Sequence, residues 1–231
     1  MGIIVNISSE DVIKTAFDKY KTLEFLQKNN YHWIKSYINY NDVLDALSDE
    51  ILSFPLVTKP RKGSGSAGIE IVHNLEQLKQ ICSLYDDILI QEFINGQEIG
   101  ADVYVDLISG EVTSIFTKKK IKMRAGETDK SVSFKDNKLF QLIAAFVKDF
   151  GLKGVNDIDV FEKEGKYYIS EVNPRFGGGY VHAYAAGVNF PNFLINNMNG
   201  IVNRLDIGNY ENDNYMMKYF AVKVLGKDKL H

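Results

Sequence analysis

In the stretch Ile158 to Tyr180, IDVFEKEGKYYISEVNPRFGGGY, acidic and amide oxygens, a guanidinium and a run of glycines fall close together. Two period-2 runs, Asn156 to Phe161 and Tyr167 to Asn173, flank a Lys-Glu-Gly-Lys turn and predict a β-hairpin. Side chains two positions apart share one face of a strand. With Asp159 opposite Glu171, the residues Asp157, Asp159, Glu171 and Asn173 project from one face, and Ile158, Val160 and Val172 from the other. Two carboxylates facing each other across a ladder repel, and each raises the pKa of its neighbour. A hard divalent cation compensates such a pair. Magnesium takes one or two carboxylates and fills its shell with phosphate oxygens and water, and Asn173 offers a neutral oxygen beside them. Arg175, two positions on along the same face, carries a fork of donors suited to phosphate or carboxylate. Composition alone also permits a plainer reading, a solvated hairpin face that ends in an Asn-Pro-Arg turn.

A second element with chemistry in it is Lys59-Pro60-Arg61-Lys62-Gly63-Ser64-Gly65-Ser66-Ala67-Gly68. Backbone amides in such a loop can wrap phosphate oxygens, and Lys59 can neutralise them as a point charge. Gly63, Gly65 and Gly68 match the dinucleotide fingerprint, but that motif requires a helix next, and Ile69-Glu70-Ile71-Val72 reads as a strand. A hydride-transferring dinucleotide enzyme therefore rests on the glycines alone. No Gly-Lys-Ser/Thr precedes a helix, which removes the Walker loop. A flexible surface loop stays open as the plainer alternative. In TKKKIKMRA, Thr117 to Ala125, the cations Lys118, Lys120, Lys122 and Arg124 alternate and would share one side of a strand. That side is either a solvated edge whose lysines discourage aggregation or a positive wall facing anionic ligands. Arg124, followed by the loop Gly126, Glu127, Thr128, is expected to touch ligand.

These residues need a framework. The 231-residue chain is 45% hydrophobic and 25% charged, an ordinary globular composition long enough for a sizeable core. No apolar run approaches the roughly 18 residues of a membrane span. Met1 to Ser9 lacks a basic n-region, so a cytoplasmic protein without a secretory leader is expected. A net charge of -3 argues against nucleic-acid binding. The single cysteine, Cys82, falls in a Leu75, Leu78, Cys82 stripe and reads as a small core hydrophobe. His32, His73, His182 and His231 lack metal-ligand spacing.

The pattern along the chain is mixed α and β. Strands are expected at Ile3 to Ile7, Phe54 to Thr58, Gly68 to Val72, Ile88 to Phe93, Ile99 to Leu107, Glu111 to Met123 and Tyr215 to Leu225, with a turn at Asn95-Gly96. Ser8 with Asp11 resembles a capping pair for a helix from Glu10, Asp18 can cap Lys19 to Gln27, and Asn74 can cap another helix. Phe140, Ile143, Phe146, Val147 and Phe150 follow helical spacing up to Gly151, and Pro191 marks a further helix start.

A lysine strand, a glycine loop, Gln-Glu-Phe-Ile at 91–94, and then a hairpin with an acidic residue and Glu-x-Asn-x-Arg resembles the ATP-grasp superfamily. Its carbamoyl-phosphate-synthase-like and carboxylate-amine ligases often read NPRFGGGY, as here at Asn173 to Tyr180. The likeness runs from about Asp18 to Leu225. It implies an α+β fold in which two subdomains clasp ATP, with the preceding Rossmann-like domain largely missing: 1–17 its remnant, 18–93 the helical entry and lid, 94–231 the central subdomain with the metal site. It implies that Lys19, Lys59, Gly63, Ser64, Gly65 and Ser66 meet the phosphates, Gln91, Glu92, Phe93 and Ile94 the adenine, and Glu98 the ribose. Asp159, Glu171 and Asn173 would hold Mg2+, with Mn2+ able to substitute, and Arg175 would act with Lys59 and Arg124 in catalysis. The implied reaction joins a small-molecule carboxylate to an amine through an acyl phosphate, needing no covalent nucleophile. The short segment before Asp18 leads us to expect a partner, either a separate N-terminal-domain protein or a second copy. The alternative is an ATP-binding subunit that does not complete catalysis alone.

Overall fold

The computed structural model describes residues 5–63, 68–224 and 226. Asp18 fixes the opening of the chain. Its carboxylate accepts the backbone N–H groups of Tyr20 and Lys21 at 3.1 and 3.2 Å, capping α2 (Lys19–Lys28) directly after α1 (Glu10–Phe17). Arg61 grips the same carboxylate through Nε at 2.8 Å and Nη2 at 2.7 Å. Leu23 and Leu26 of α2 are buried. The start of α1 departs from expectation. Ser9 is the cap residue and makes no side-chain bond, while Ser8 Oγ accepts the N–H of Lys153 at 2.9 Å, tying the segment to a distant loop. Of the strand expected at Ile3 to Ile7, Ile3 and Ile4 lie outside the described residues, and 5–7 form no strand.

A small antiparallel sheet follows, made of β1 (Ser36–Tyr37), β2 (Leu56–Pro60), β3 (Glu70–Val72) and β4 (Ile88–Glu92) in the order β1-β4-β2-β3. α3 (Tyr40–Ser48) and α4 (Leu75–Leu84) cover one side. Val43, Ala46, Leu56, Val72, Leu78 and Ile90 form its core, with Cys82 at the margin, where burial pushes the thiol pKa up. The expected cap holds, since Asn74 Oδ1 accepts the N–H of Gln77 at 3.0 Å.

The larger sheet has the order β10-β7-β6-β5-β8-β9 and is antiparallel throughout. Its members are β5 (Gln97–Val105), β6 (Val112–Arg124), β7 (Glu127–Phe134), β8 (Gly154–Lys163), β9 (Lys166–Asn173) and β10 (Tyr215–Met217). The apolar stripe of α5 (Asn137–Phe150) packs on it, and Gly151 ends the helix at φ 80°, where a side chain would be strained. α6 (Tyr180–Ala185) and α7 (Phe190–Met198, with Pro191 in its first turn) complete this core. Phe25 of α2 lies 4.7 Å from Phe150 between ring centres, so the apolar face of α2 also belongs to the large core. The α+β class is as expected. No helix among the described residues is long and apolar enough to cross a membrane.

Three strand expectations change. Asn95-Gly96 does not close a hairpin but links the sheets, β4 in one and β5 in the other. Gly126 to Thr128 is no loop: the turn is Ala125-Gly126, and β7 starts at Glu127. β7 carries no apolar alternation because its buried side chains are polar, with Ser131 Oγ on His182 Nδ1 at 2.8 Å and Ser133 Oγ donating to Glu211 O at 2.7 Å. The strand expected at Tyr215 to Leu225 pairs with β7 only over Tyr215–Met217, beyond which Tyr219, Phe220, Val222 and Val224 are exposed; Leu225 is outside the described residues.

Asp18→Ala removes a cap and strands Arg61, and should lower unfolding free energy by about 2–4 kcal/mol in urea titrations. Asp18→Asn, which can still cap, should recover roughly 1 kcal/mol of that. Burial raises the Asp18 pKa, but Arg61 and the two N–H groups outweigh it, so the folded value lies below the ordinary 3.8. The wild type should therefore hold this contribution above about pH 4 and lose it on acidification through the lowered value, a loss absent from Asp18→Ala.

Candidate active site

The β8–β9 hairpin has the expected register: Asp157 faces Asn173, and Asp159 faces Glu171. Its turn uses Glu164 and Gly165 at positive φ. Ile158, Val160 and Val172 are buried on the far side, so the four polar residues line the near one. That face forms the floor of a cleft of about 780 Å³ between the two sheets. From the small sheet, Lys59 on β2 and Gln91 on β4 form the opposite wall. Lys59 Nζ donates to Gln91 Oε1 at 2.9 Å, and Gln91 Nε2 donates to Ser36 Oγ at 2.7 Å. Glu92, Phe93, Ile94 and Glu98 line the link between the sheets.

The electrostatics cross the cleft. Burial pulls the Lys59 ammonium down to about 8, and Glu171, Asp159 and Glu98 pull it back up against the charge of Lys19. Lys59 thus feels the hairpin carboxylates without pairing with them. Burial pushes the Asp157 carboxyl up to about 7, with Asp159 and Asp102 adding to it and Lys118 and Lys120 opposing. Arg175 donates through Nη2 to Asn173 Oδ1 at 3.3 Å, and its Nη1 lies 4.0 Å from Asp157 Oδ2.

The basic stripe divides. Lys118 and Lys120 are buried on an interior strand, so the solvated-edge reading does not describe them. Lys118 pairs with the buried Asp102, and Lys120 bridges Glu98 and Asp159. Irregular pairing between Lys120 and Met123 then breaks the alternation, so Met123 faces the cleft and Lys122 is exposed. Arg124 does not line the cleft either: its Nη2 is 3.1 Å from Asp129, and its guanidinium lies 4.9 Å from the Phe220 ring centre. Lys19 donates to Gly63 O at 2.8 Å, at the start of the glycine loop, and neither lines the cleft. Ser64, Gly65 and Ser66 lie outside the described residues.

Two features were not singled out from sequence. Ile34, Val57, Ile71, Met123 and Phe161 give the cleft apolar walls that suit a planar ring. The alternating Ile69, just before β3, and Ile71, on it, both half exposed, were the available signal. Lys218 Nζ bonds Glu127 at 2.9 Å and Gly178 O at 3.0 Å, holding the glycine run against β7, a contact between distant segments with no local signature.

The oxygen set fits a hard cation. Among the described residues Glu171 has no cation within ion-pair distance, and its carboxylate accepts one side-chain hydrogen bond, from Asn173 Nδ2 at 3.4 Å. Among the described residues no three or more His, Cys, Asp or Glu could hold a metal alone. An ion at Asp159, Glu171 and Asn173 would have to complete its shell with water and phosphate oxygens, as magnesium does.

Comparison with known proteins places the fold. The ATP-grasp domain profile matches residues 16–179. A carbamoyl-phosphate synthase of Methanobrevibacter smithii is 32% identical over 199 residues, 80% of this chain and 53% of that protein. A D-alanine–D-alanine ligase of Aquifex aeolicus is 31% identical over 183 residues, 72% of this chain and 60% of that protein. Among solved structures, the biotin carboxylase domain of a Hydrogenobacter thermophilus 2-oxoglutarate carboxylase, in complex with MgADP, ADP and bicarbonate, superposes with TM-score 0.75 at 17% identity. That match covers 93% of this chain and 52% of the other. The chain thus spans little more than half the length of the relatives it matches.

The glycine run lies flat on charged side chains. A Cβ at Gly177 would stand 2.5 Å from the Asp157 carboxyl carbon. Gly177→Ala should therefore cost about 1–3 kcal/mol in unfolding experiments. Pairing it with Asp157→Ala should restore more than about 0.5 kcal/mol beyond additivity if the clash is the cause.

Proposed function

This chain belongs to the ATP-grasp domain family, and we propose that it is the ATP- and Mg2+-dependent catalytic domain of a carboxylate-amine ligase that works through an acyl phosphate. The observation that carries this reading is Lys59 facing Asp159 and Glu171 across one cleft, from a different sheet. Adenine would lie against Gln91 to Ile94 between the apolar walls, with Glu98 accepting from the ribose hydroxyls. Lys59 would meet the phosphates from within the cleft, and Lys19 and the loop at 63–68, which starts outside it, would reach them on closure of the lid. Asp159, Glu171 and Asn173 would hold magnesium, or manganese in its place, which when bound supplies charge neutralisation between the phosphates.

An oxygen of the substrate carboxylate attacks the γ-phosphorus, and the bond to the bridging oxygen of ADP breaks with its electron pair leaving on ADP. The amine nitrogen then attacks the acyl carbon and phosphate departs, taking up the proton the nitrogen loses. Phosphoryl transfer asks mainly for positioning and charge stabilisation. Arg175, half exposed at the end of the hairpin, would steady the transferred phosphate. The lid at about 33–93 would close over ATP and exclude water from the acyl phosphate. The substrates are small molecules met in the cytoplasm, and a partner domain or a second copy would complete the acceptor wall. The second reading is an ATP-binding subunit that does not complete catalysis on its own.

ADP release across panels of carboxylates and amines, with and without a supplied N-terminal domain, tests the proposal. Lys59→Ala and Glu171→Gln should each lower kcat by roughly 100-fold or more. Because burial holds Lys59 near 8 rather than 10.5, ATP affinity should fall as pH rises through about 8, where the ammonium is lost. Lys59→Arg should bind ATP with no such fall. ATP binding without ADP release under any condition would support the second reading; ATP binding indifferent to Lys59→Ala would contradict both.

A further inference from the structure

Lys120 has no task in the reaction above, although its placement is unusually constrained. In the large sheet β5 lies between β6 and β8, so a lysine on β6 reaches a carboxylate on β8 only by crossing β5. It crosses at Gly100, which is in register with Lys118 on one side and Asp159 on the other. A Cβ at Gly100 would stand 3.1 Å from Lys118 Cε and 3.4 Å from Lys120 Cε, so the missing side chain leaves room for both lysine stems. Lys120 Nζ ends 2.7 Å from Asp159 Oδ1 and 2.8 Å from Glu98 Oε1, with its side chain only 6% exposed. Lys118 is committed to Asp102, both fully buried, and does not reach this pair.

We propose that Lys120 is a positioning residue and resident counter-cation: it holds Asp159 and Glu98 at a fixed spacing and keeps a divalent ion from settling before the nucleotide arrives. The inference rests on the reading of Asp159 and Glu171 as the metal side and of Glu98 as the ribose contact. Glu98, Asp159 and Glu171 bring three negative charges to this end of the floor, and Lys120 cancels one of them. An ammonium in contact with Asp159 repels an incoming dication and occupies part of the carboxylate it needs. One unit charge a few ångströms away in a partly buried site changes ion affinity by roughly one to two orders of magnitude. A triphosphate brings enough negative charge to overcome that repulsion, so metal and nucleotide bind as a unit. Lys120 stays bonded to Glu98 and keeps it aimed at the sugar.

Mn2+ binding by the intact chain, followed by electron paramagnetic resonance and calorimetry with and without a non-hydrolysable ATP analogue, tests this directly. The wild type should bind Mn2+ weakly alone and much more tightly with the analogue. Lys120→Met should raise nucleotide-free Mn2+ affinity roughly tenfold or more and shrink the gain that the analogue gives. Glu98→Gln, which leaves Lys120 to Asp159 alone, should lower it severalfold, and Lys120→Arg should stay close to wild type. A damaged fold would weaken binding in every variant, so opposite shifts in Lys120→Met and Glu98→Gln mark the charge effect. A cooperatively melting Lys120→Met that binds Mn2+ no more tightly than wild type overturns the proposal while leaving the ligase reading intact. If Lys120→Met does not fold, a Glu98→Gln protein with unchanged or tighter Mn2+ binding overturns it. Wild type that binds no Mn2+ even with the analogue overturns both this inference and the metal reading beneath it.

Discussion

An ammonium and a row of carboxylates are held on separate sheets, near enough to shift each other's energies yet not allowed to pair. Lys59 is desolvated on the small sheet, its one side-chain bond going to a neutral amide, while Asp159 and Glu171 face it from the large one. Lys120 answers Asp159, but Lys59 and Glu171 have no ion-pair partner among the described residues, and a desolvated charge without one forfeits its hydration. A ligand that is itself both anion and cation, a metal-bound phosphate chain, relieves both walls at once. The rest of the structure keeps those walls apart and aligned.

Two cores do this work. The small one fixes β2 against β4, so that Lys59, Gln91 and Ser36 share a face. The large one, with α5 across its back, turns the polar side of β8 and β9 toward the same space. The link at Asn95-Gly96 is short. A Cβ at Gly96 would meet Glu162 O at 2.5 Å, so only glycine lets the link pass this close to β8. Asp18 and Arg61 add a second tie, joining the helices of the large core to the end of β2 beside Lys59.

Much of this was legible because local rules and the global fold agree. The hairpin's alternation, its Glu-Gly turn, the Asp18 and Asn74 caps and the α5 stripe each carry their signal within a few residues, and the register of Asp159 with Glu171 follows from them. That Asp159, Glu171, Asn173, Lys59 and Arg175 line one cleft was readable for the same reason. What escaped was set by contacts between distant segments. β7 was hidden because its buried positions are serine, threonine and aspartate, the serines satisfied by partners up to 81 positions away. Arg124 was misplaced because an irregularity after Lys120 interrupts the period that put it beside Lys118, and because Asp129 and Phe220 supply a nearer anion and ring. Lys120 stood among four alternating cations, and what separates it from the others is its reach past Gly100 to Asp159 and Glu98, where Lys118 stops at Asp102.

The most direct trial of this account is a crystal structure of the chain with a non-hydrolysable ATP analogue and Mn2+, read by anomalous scattering. The account predicts a manganese peak between the Asp159 and Glu171 carboxylates, with the triphosphate running from it toward Lys59 and the base against Gln91 to Ile94. A metal bound elsewhere, or a nucleotide seated outside this cleft with Lys59 remote from its phosphates, would contradict it.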